Sequence, residues 1–472
     1  MNISNASPFH KGEQEIQQRL GVRDKMERFG RQVIRDFMPD QHREFYNQLP
    51  FVFAGHADPQ GWPWASILFG KPGFISSANE KQLQINAMPV AGDPLAESLA
   101  ADTHLGLLGI ELETRRRNRI SASVAEFSHK SIRLNIKQAF GNCPQYIQTR
   151  EMEFLDSSSQ PPAVVKDLTR FDLEAMSLIE SSDTFFVSSF VNNQRDEASQ
   201  GADVSHRGGK PGFLRVDNEY RITIPDYLGN FHFNTLGNFL ENPKAGLLFI
   251  DFDRGHLLTL TGTVEILWDA PEMEYFAGAE RLWTFTIDHG RWIKNALPIR
   301  WKLDEFSANT ALTGTWKEAE AVRKAEQERN RWQPYRIMKI VEESRVIKSF
   351  YLHPQNGHLP KFQAGQFLTF RAEVDGNEVI RTYTVSSAPG ERYFRISVKL
   401  ENGENENVPD GVFSSFLHRK LSVGDSIDAK APTGAFTFDA AQKRPAVLIS
   451  AGVGVTPMMS MARHALLEGI RT

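Results

Sequence analysis

Short runs of β-branched and aromatic residues recur along most of the chain, each cut off by Gly, Asp, Asn or Pro. "FFVSSFV" (Phe185–Val191), "YRITI" (Tyr220–Ile224), "AGLLFIDF" (Ala245–Phe252) and "LLTLTGTVEIL" (Leu257–Leu267) each predict a strand. Many short strands at this spacing predict small antiparallel barrels. Two stretches break the pattern. Residues 13–37 space their apolar positions as a helix does, and 315–336 are rich in Ala, Glu and Arg, which favour a helical linker. After Pro334 the strand pattern returns. "RIMKIVEESRVIKSFYL" (Arg336–Leu352) predicts two strands and a turn, followed by strands over 366–374, 379–387 and 393–400. The last stretch, "AVLISAGVGVTPMMSM" from Ala446, predicts an apolar strand, a glycine-rich turn and a helix that starts at Thr456-Pro457.

The strand pattern of the first half repeats. "FGKPGFISSANEKQLQI" (Phe69–Ile85) matches "GGKPGFLRVDNEYRITI" (Gly208–Ile224), an offset of 139 residues. "LGLLGIELETRRRNRISASV" (Leu105–Val124) matches "AGLLFIDFDRGHLLTLTGTV" (Ala245–Val264), an offset of 140. Two matches at nearly one offset are the mark of a duplicated domain. Two related barrels in one chain can pack as a pseudo-dimer. The 472 residues carry a net charge of −4, so charge does not point to nucleic acid. No apolar run approaches a membrane span, and the start lacks a signal peptide's apolar segment. A cytoplasmic protein is expected. The single cysteine, Cys143, cannot form a disulfide framework or ligate an iron–sulfur cluster alone. No HExxH pattern occurs, and no metal site is predicted.

The second copy carries more polar chemistry than the first. "DVSHRGGKPGF" (Asp203–Phe213) supplies His206, Arg207 and Lys210 among glycines. "PDYLGNFHFNTLGNFLENP" (Pro225–Pro243) offers Asn230, then Asn234, Thr235 and Asn238 at helical spacing. Cations, amides and a helix start close together suit a phosphate, though such residues also make ordinary turns and caps. The first copy, "NAMPVAGDPLAESLAADTHLG" (Asn86–Gly106), has no such set and reads as scaffold. These stretches, with "GNCPQYI" (Gly141–Ile147), resemble the pyridoxamine 5′-phosphate oxidase-like split-barrel family over residues 45–302. The resemblance implies FMN near Arg207, Lys210, Asn230 and Asn238. Split barrels also hold haem or deazaflavin, or nothing. His206 is then either a haem ligand or a hydrogen-bonding group.

Two motifs of the second half carry chemistry. In "RTYT", Arg381 and Tyr383 alternate along a strand and so share a face. An Arg pairs with phosphate, a Tyr ring stacks on a flat ring, and the hydroxyl and backbone of Thr384 suit a polar ring edge. In "GVFSSFLH", Gly411, Val412, Phe413, Ser414 and Ser415 open a helix whose free N–H groups suit a pyrophosphate. Together with "AGQFLTF" and "LISAGVGVTPMMSM", in this order, they resemble the ferredoxin–NADP reductase family, in particular the branch of flavohaemoglobin reductase domains. The resemblance implies FAD, with Arg381 on a flavin phosphate, Tyr383 against the isoalloxazine and Thr384 near N5; these last two are the implied catalytic pair. Gly411–Ser415 would hold the pyrophosphate, and Gly452, Gly454, Thr456 and Pro457 the dinucleotide of NAD(P)H.

The expected fold is mainly β with α. It comprises a helical segment (1–44), a degenerate split barrel (45–160), an FMN-type split barrel (161–314), a helical linker (315–333), a Greek-key flavin-binding barrel (334–441) and the first βα unit of a Rossmann-like lobe (442–472). The family lobe continues for several more units, often with a ferredoxin-type 2Fe–2S domain, so the chain is expected to be part of a longer protein. The expected function is electron transfer from NAD(P)H through FAD to barrel FMN or to an iron–sulfur domain. The final acceptor would be a small molecule or a protein. The alternative is a non-catalytic ligand-binding or assembly module attached to a flavin reductase.

Overall fold

The computed structural model describes residues 7–156, 160–191, 201–355, 358–403, 410–439 and 446–469. The chain divides into two compact units, Met1–Glu320 and Ala321–Thr472.

The first unit opens with three helices: α1 (Lys11–Arg19), α2 (Arg23–Val33) and α3 (Asp40–Gln48). The single helical stretch expected over 13–37 is broken at Gly21, whose φ of 68° lies where a side chain is disfavoured. Strands β1 (Phe51–Ala57), β2 (Pro63–Phe69), β3 (Ile75–Asn79) and β4 (Gln82–Ile85) follow, then the single turn α4 (Leu95–Ser98). Next come β5 (His104–Glu111), β6 (Arg116–Phe127), β7 (Ile132–Gly141), β8 (Thr149–Phe154), β9 (Val164–Leu168) and α5 (Leu173–Ser181). The second series is β10 (Thr184–Val191), β11 (Gly201–Gly208), β12 (Arg215–Val216), β13 (Arg221–Tyr227), α6 (Asn234–Glu241), β14 (Lys244–Asp251), β15 (His256–Leu267) and β16 (Ala279–Lys294). β17 (Ile299–Glu305) and α7 (Ala308–Ala311) close it.

Both sheets are antiparallel, with strand orders β2-β1-β5-β6-β7-β4-β3 and β11-β10-β14-β15-β16-β13-β12. Adding nine to each label of the first gives the second. The sheets meet across equivalent strands: β5 packs on β11 and β14 on β2. Both crossings need glycine. A Cβ at Gly106 of β5 would clash with the Ala202 carbonyl, and one at Gly246 of β14 would lie 2.5 Å from the Pro63 carbonyl. Phe53 and Phe186 stack at 3.5 Å between centroids in the apolar cluster shared by the two sheets. The boundary expected near residue 160 is crossed by one pairing, β8 with β17, while β9 adds to β16 on the far side of it.

Helix α8 (Trp316–Asn330) occupies the expected linker, but its start is not free. Ala319 is buried and Trp316 packs in the core of the second sheet, with Arg215 3.9 Å from the Trp316 ring centre. Two apolar side chains in an otherwise charged helix anchor its first turn, which composition alone does not reveal.

The second unit is a six-stranded sheet. Its strands are β18 (Gln333–Ser344), β19 (Ile347–Pro354), β20 (Phe367–Val374), β21 (Asn377–Thr384), β22 (Phe394–Lys399) and, after helix α9 (Val412–Arg419), β23 (Ser426–Ala429), in the order β21-β20-β23-β18-β19-β22. Its core holds Tyr335, Phe350, Phe370, Phe394 and Phe413. Helix α10 (Val455–Leu467) docks through buried Met461 and the Ser460 hydroxyl, which donates to the Ser387 carbonyl at 2.7 Å. The strand expected from Ala446 is absent: Ala446–Ala451 pair with no strand among the described residues, and Val447 and Ile449 are each 82% exposed. An apolar run forms a strand only where a neighbour takes its backbone hydrogen bonds. The turn is a 3-10 turn over Gly452–Gly454, and the helix begins at Val455.

Candidate functional sites

In the second unit, the two motifs expected to bind flavin lie against each other. β21 pairs with β20 without a register shift, so Arg381 and Tyr383 share a face. The Tyr383 ring stacks on Phe413 of α9, at 6.0 Å between centroids and 28° between planes. Burial pushes the Tyr383 hydroxyl up to about 12, so it stays a neutral hydrogen-bonding group. Arg381 is exposed, and its Nη1 donates to the Ile380 carbonyl. Gly411 caps α9 where a Cβ would come 2.7 Å from the Ser414 hydroxyl. That hydroxyl donates to the Gly411 carbonyl at 3.0 Å and accepts from the Glu401 N–H at 3.2 Å, and so is already used. The Ser415 hydroxyl is buried and has no protein partner. Val412 is half exposed and Phe413 is buried.

An exposed guanidinium, a half-buried ring, an unpartnered hydroxyl and a helix start fit a phosphate-bearing flat ligand. Thr384 is the last residue of β21. It pairs with Phe367, and the pleat turns its side chain to the face opposite Tyr383, so only its backbone adjoins that edge. Of the residues expected to hold NAD(P)H, Gly452 and Gly454 belong to the 3-10 turn, and Thr456 and Pro457 to the first turn of α10. There Gly452 has φ 54°, Thr456 donates to the Val453 carbonyl at 2.9 Å, and Gly454 and Pro457 flank the start of α10.

In the first unit the expected flavin residues divide. His206, Arg207 and Asn230 line one cavity of about 80 Å³, together with Arg117, Arg119, Tyr146 and Tyr227. Asn238 lines a neighbouring cavity of about 60 Å³ with Glu13, Asp203 and Asn234, and Arg119 lines both. Asn238 donates to the Ser189 hydroxyl at 2.8 Å. Lys210 lines neither and pairs with Glu318 at 3.6 Å. Sequence proximity misled here: β11 ends at Gly208, so the pleat that aims His206 and Arg207 does not extend to Lys210. α6 begins at Asn234 after Phe231 and Phe233, both at φ 62°, a turn that aims the helix and Asn238 toward Ser189.

The lining of the first cavity contains no carboxylate. Arg207 reaches Asp226 at 3.4 Å with Nη1, and its Nε has no partner. His206 is 4% exposed and neither ring nitrogen has a protein partner. Burial, aided by Arg117, Arg150 and Arg207, holds its pKa well below 6.5, so the ring is neutral. Asn230 donates to Asn142 at 2.8 Å, tying the second copy to the end of β7. Arg117 and Arg119, from the copy expected to be scaffold, are the residues sequence reading missed. They stand in "RRRNR" (Arg115–Arg119) within the second repeated stretch, but nothing local shows that β6 faces β11. Unpartnered buried donors among three arginines fit an anion, and the tyrosines fit a flat ring. Among the described residues no group of His, Cys, Asp and Glu could hold a metal ion, and no helix is long and apolar enough to cross a membrane.

Residues 335–438 match the family described as oxidoreductase FAD-binding domain, and residues 172–303 match pyridoxamine 5′-phosphate oxidase. A flavohemoprotein of Bacillus subtilis (strain 168) is 43% identical over 155 residues, which are 32% of this chain and 37% of that protein. A flavohemoprotein of Chromobacterium violaceum is 43% identical over 143 residues, 30% of this chain and 35% of that protein. The chain thus spans less than two-fifths of the length of these curated relatives. A solved structure of the flavohem-like FAD/NAD-binding domain of nitric oxide dioxygenase from Vibrio cholerae has 36% identity and a TM-score of 0.27, covering 29% of this chain and 57% of that one. The two matched families are the ones whose resemblance the sequence motifs carry.

Proposed function

We propose that this protein is a flavin-dependent oxidoreductase that takes electrons from NAD(P)H into FAD at residues 335–438 and passes them to a second flavin, FMN, in the repeat pair. The observation that carries the reading is the shared face of Arg381 and Tyr383 set against the first turn of α9, inside the segment that matches an FAD-binding domain. Bound flavin supplies hydride acceptance from a reduced nicotinamide and onward release of electrons. The chain's own residues bind and orient. Arg381 pairs with a phosphate, and the free N–H groups of Phe413 and Ser414, with the Ser415 hydroxyl, take the pyrophosphate. Tyr383, held by Phe413, covers one face of the ring system and keeps water from it. The turn at Gly452–Gly454 presents the start of α10 to the dinucleotide phosphates. In the repeat pair, Arg207 and Asn230 hold the second flavin, whose acceptor is a small oxidised molecule or a protein.

The test is cofactor content. The purified chain is denatured and the released flavins are chromatographed. One FAD and one FMN per chain are expected. FAD alone would make the repeat pair a binding or assembly module, and no FAD would overturn the reading of the second unit.

A further inference from the structure

The register of the two sheets makes every position of one copy comparable with a position of the other. Phe53 pairs with Ile67 and Leu108, while Phe186 pairs with His206 and Leu248. Ile67 is therefore the counterpart of His206, and Leu68, paired with Val52, is the counterpart of Arg207, paired with Phe185. On the facing strands, Ile110 pairs with Arg117 and Ile250 with Leu257; Leu108 pairs with Arg119 and Leu248 with Thr259. Arg117 thus corresponds to Leu257, and Arg119 to Thr259.

A symmetric pair of barrels would build two equivalent sites where the copies meet. Here the two places differ completely in chemistry. One is bounded by Arg117 and Arg119 of the first copy and by His206 and Arg207 of the second. The other has Leu257, Thr259 and Ile67, each at most 1% exposed, with Leu68 turned into the first sheet's own core. Ile67 and Leu257 belong to one apolar cluster, and Thr259 donates to the Ala65 carbonyl at 3.3 Å. The second place is filled core.

On the polar side the cations are under-compensated. Arg119 pairs with Asp203 at 3.0 Å and with Ser205, but its Nε has no partner. Arg117 donates from Nε to the Cys143 carbonyl. Burial, reinforced by Arg119 and Arg207, pushes its pKa down to about 9. An anion at this point would offset the like charges that now face one another.

We infer that the repeat pair holds a single phosphate-bearing flavin per chain, and that Arg117 of the first repeat, with Arg119, grips its phosphate opposite His206 and Arg207. The flavin identity rests on the function proposed above; the anion site and its one-sidedness rest on the register. The first copy is then half of the site and not its scaffold.

The experiment is equilibrium dialysis of the full chain, its FAD site kept saturated with FAD, against labelled FMN and labelled riboflavin, which lacks the phosphate. One equivalent of FMN is expected, bound at least about tenfold more tightly than riboflavin, as expected for a lost charged hydrogen bond. Arg117→Gln should remove most of that preference and leave riboflavin affinity unchanged, and Arg117→Lys should restore part of it. A second equivalent of FMN, or an unchanged preference in Arg117→Gln with a native melting profile, overturns the inference. If neither flavin binds, the FMN reading fails. Labelled pyrophosphate then decides the anion site: binding that Arg117→Gln abolishes upholds it, and no binding removes it.

Discussion

Arg381 and Tyr383 show how a motif becomes a site. Alternation along β21 sets them on one face, which is readable in four letters of sequence, whereas the partner that fixes the ring, Phe413, lies on a helix thirty residues later. Arg381→Ala should weaken FAD retention by about tenfold or more, since a charge-assisted hydrogen bond contributes roughly 1.5–3 kcal/mol. The ratio of flavin to protein absorbance after gel filtration measures it; an unchanged ratio would free Arg381 of the phosphate role. Phe413→Ala should loosen Tyr383 and broaden the flavin's fluorescence anisotropy decay, because among the described residues no other ring stacks flat on it and Phe370 meets it edge-on. Thr384 marks the limit of the motif: the alternation that puts Arg381 and Tyr383 on one face of β21 puts the residue after Tyr383 on the other.

Elements were legible where their stability is local. Apolar runs rich in β-branched and aromatic residues predicted β10, β13, β14 and β15 because these strands are buried, β10 and β14 on both faces. The run from Ala446 has the same composition but no neighbour among the described residues, and it forms no strand. Composition gives a propensity; pairing decides whether it is realised. The crossings of the two sheets are set by glycines whose need is invisible in sequence. Gly246→Ala puts a Cβ 2.5 Å from a backbone carbonyl that cannot swing aside, and should cost about 1–3 kcal/mol. Thermal unfolding should show a lower midpoint for the transition of residues 1–320, with the other transition unmoved. Equal midpoints would mean that the two sheets slide apart at little cost.

At the scale of the whole first unit, buried histidines set the pH response. Burial holds His56 down at about 3 and His232 at about 4, and His206 well below its usual value, while Asp93 is pushed up to about 6. Each histidine binds a proton more readily when unfolded, so its contribution to stability is present above about pH 6.5 and is lost as pH falls toward the folded value. Asp93 acts in the opposite sense, being stabilising when protonated and losing that as pH rises through about 6. Burial also lowers His42, His104 and His256 and raises Glu13 and Glu113; six histidines outweigh three carboxyls, so the urea midpoint of this unit should rise from pH 4.5 to pH 6.5, and His232→Phe should flatten the rise. A midpoint that falls over this range would show that the carboxyl dominates. The sequence by itself determined the matched stretches at offsets of 139 and 140 and the order of flavin motifs in the second half, because both are written as contiguous letters. Only the tertiary structure decided that Arg117 and Arg119 face His206 and Arg207 across nearly ninety residues of chain, while their counterparts, Leu257, Thr259, Ile67 and Leu68, are buried and uncharged. The physical reason is that a strand's sequence fixes which residues share a face, but which other sheet that face meets is settled by long-range packing.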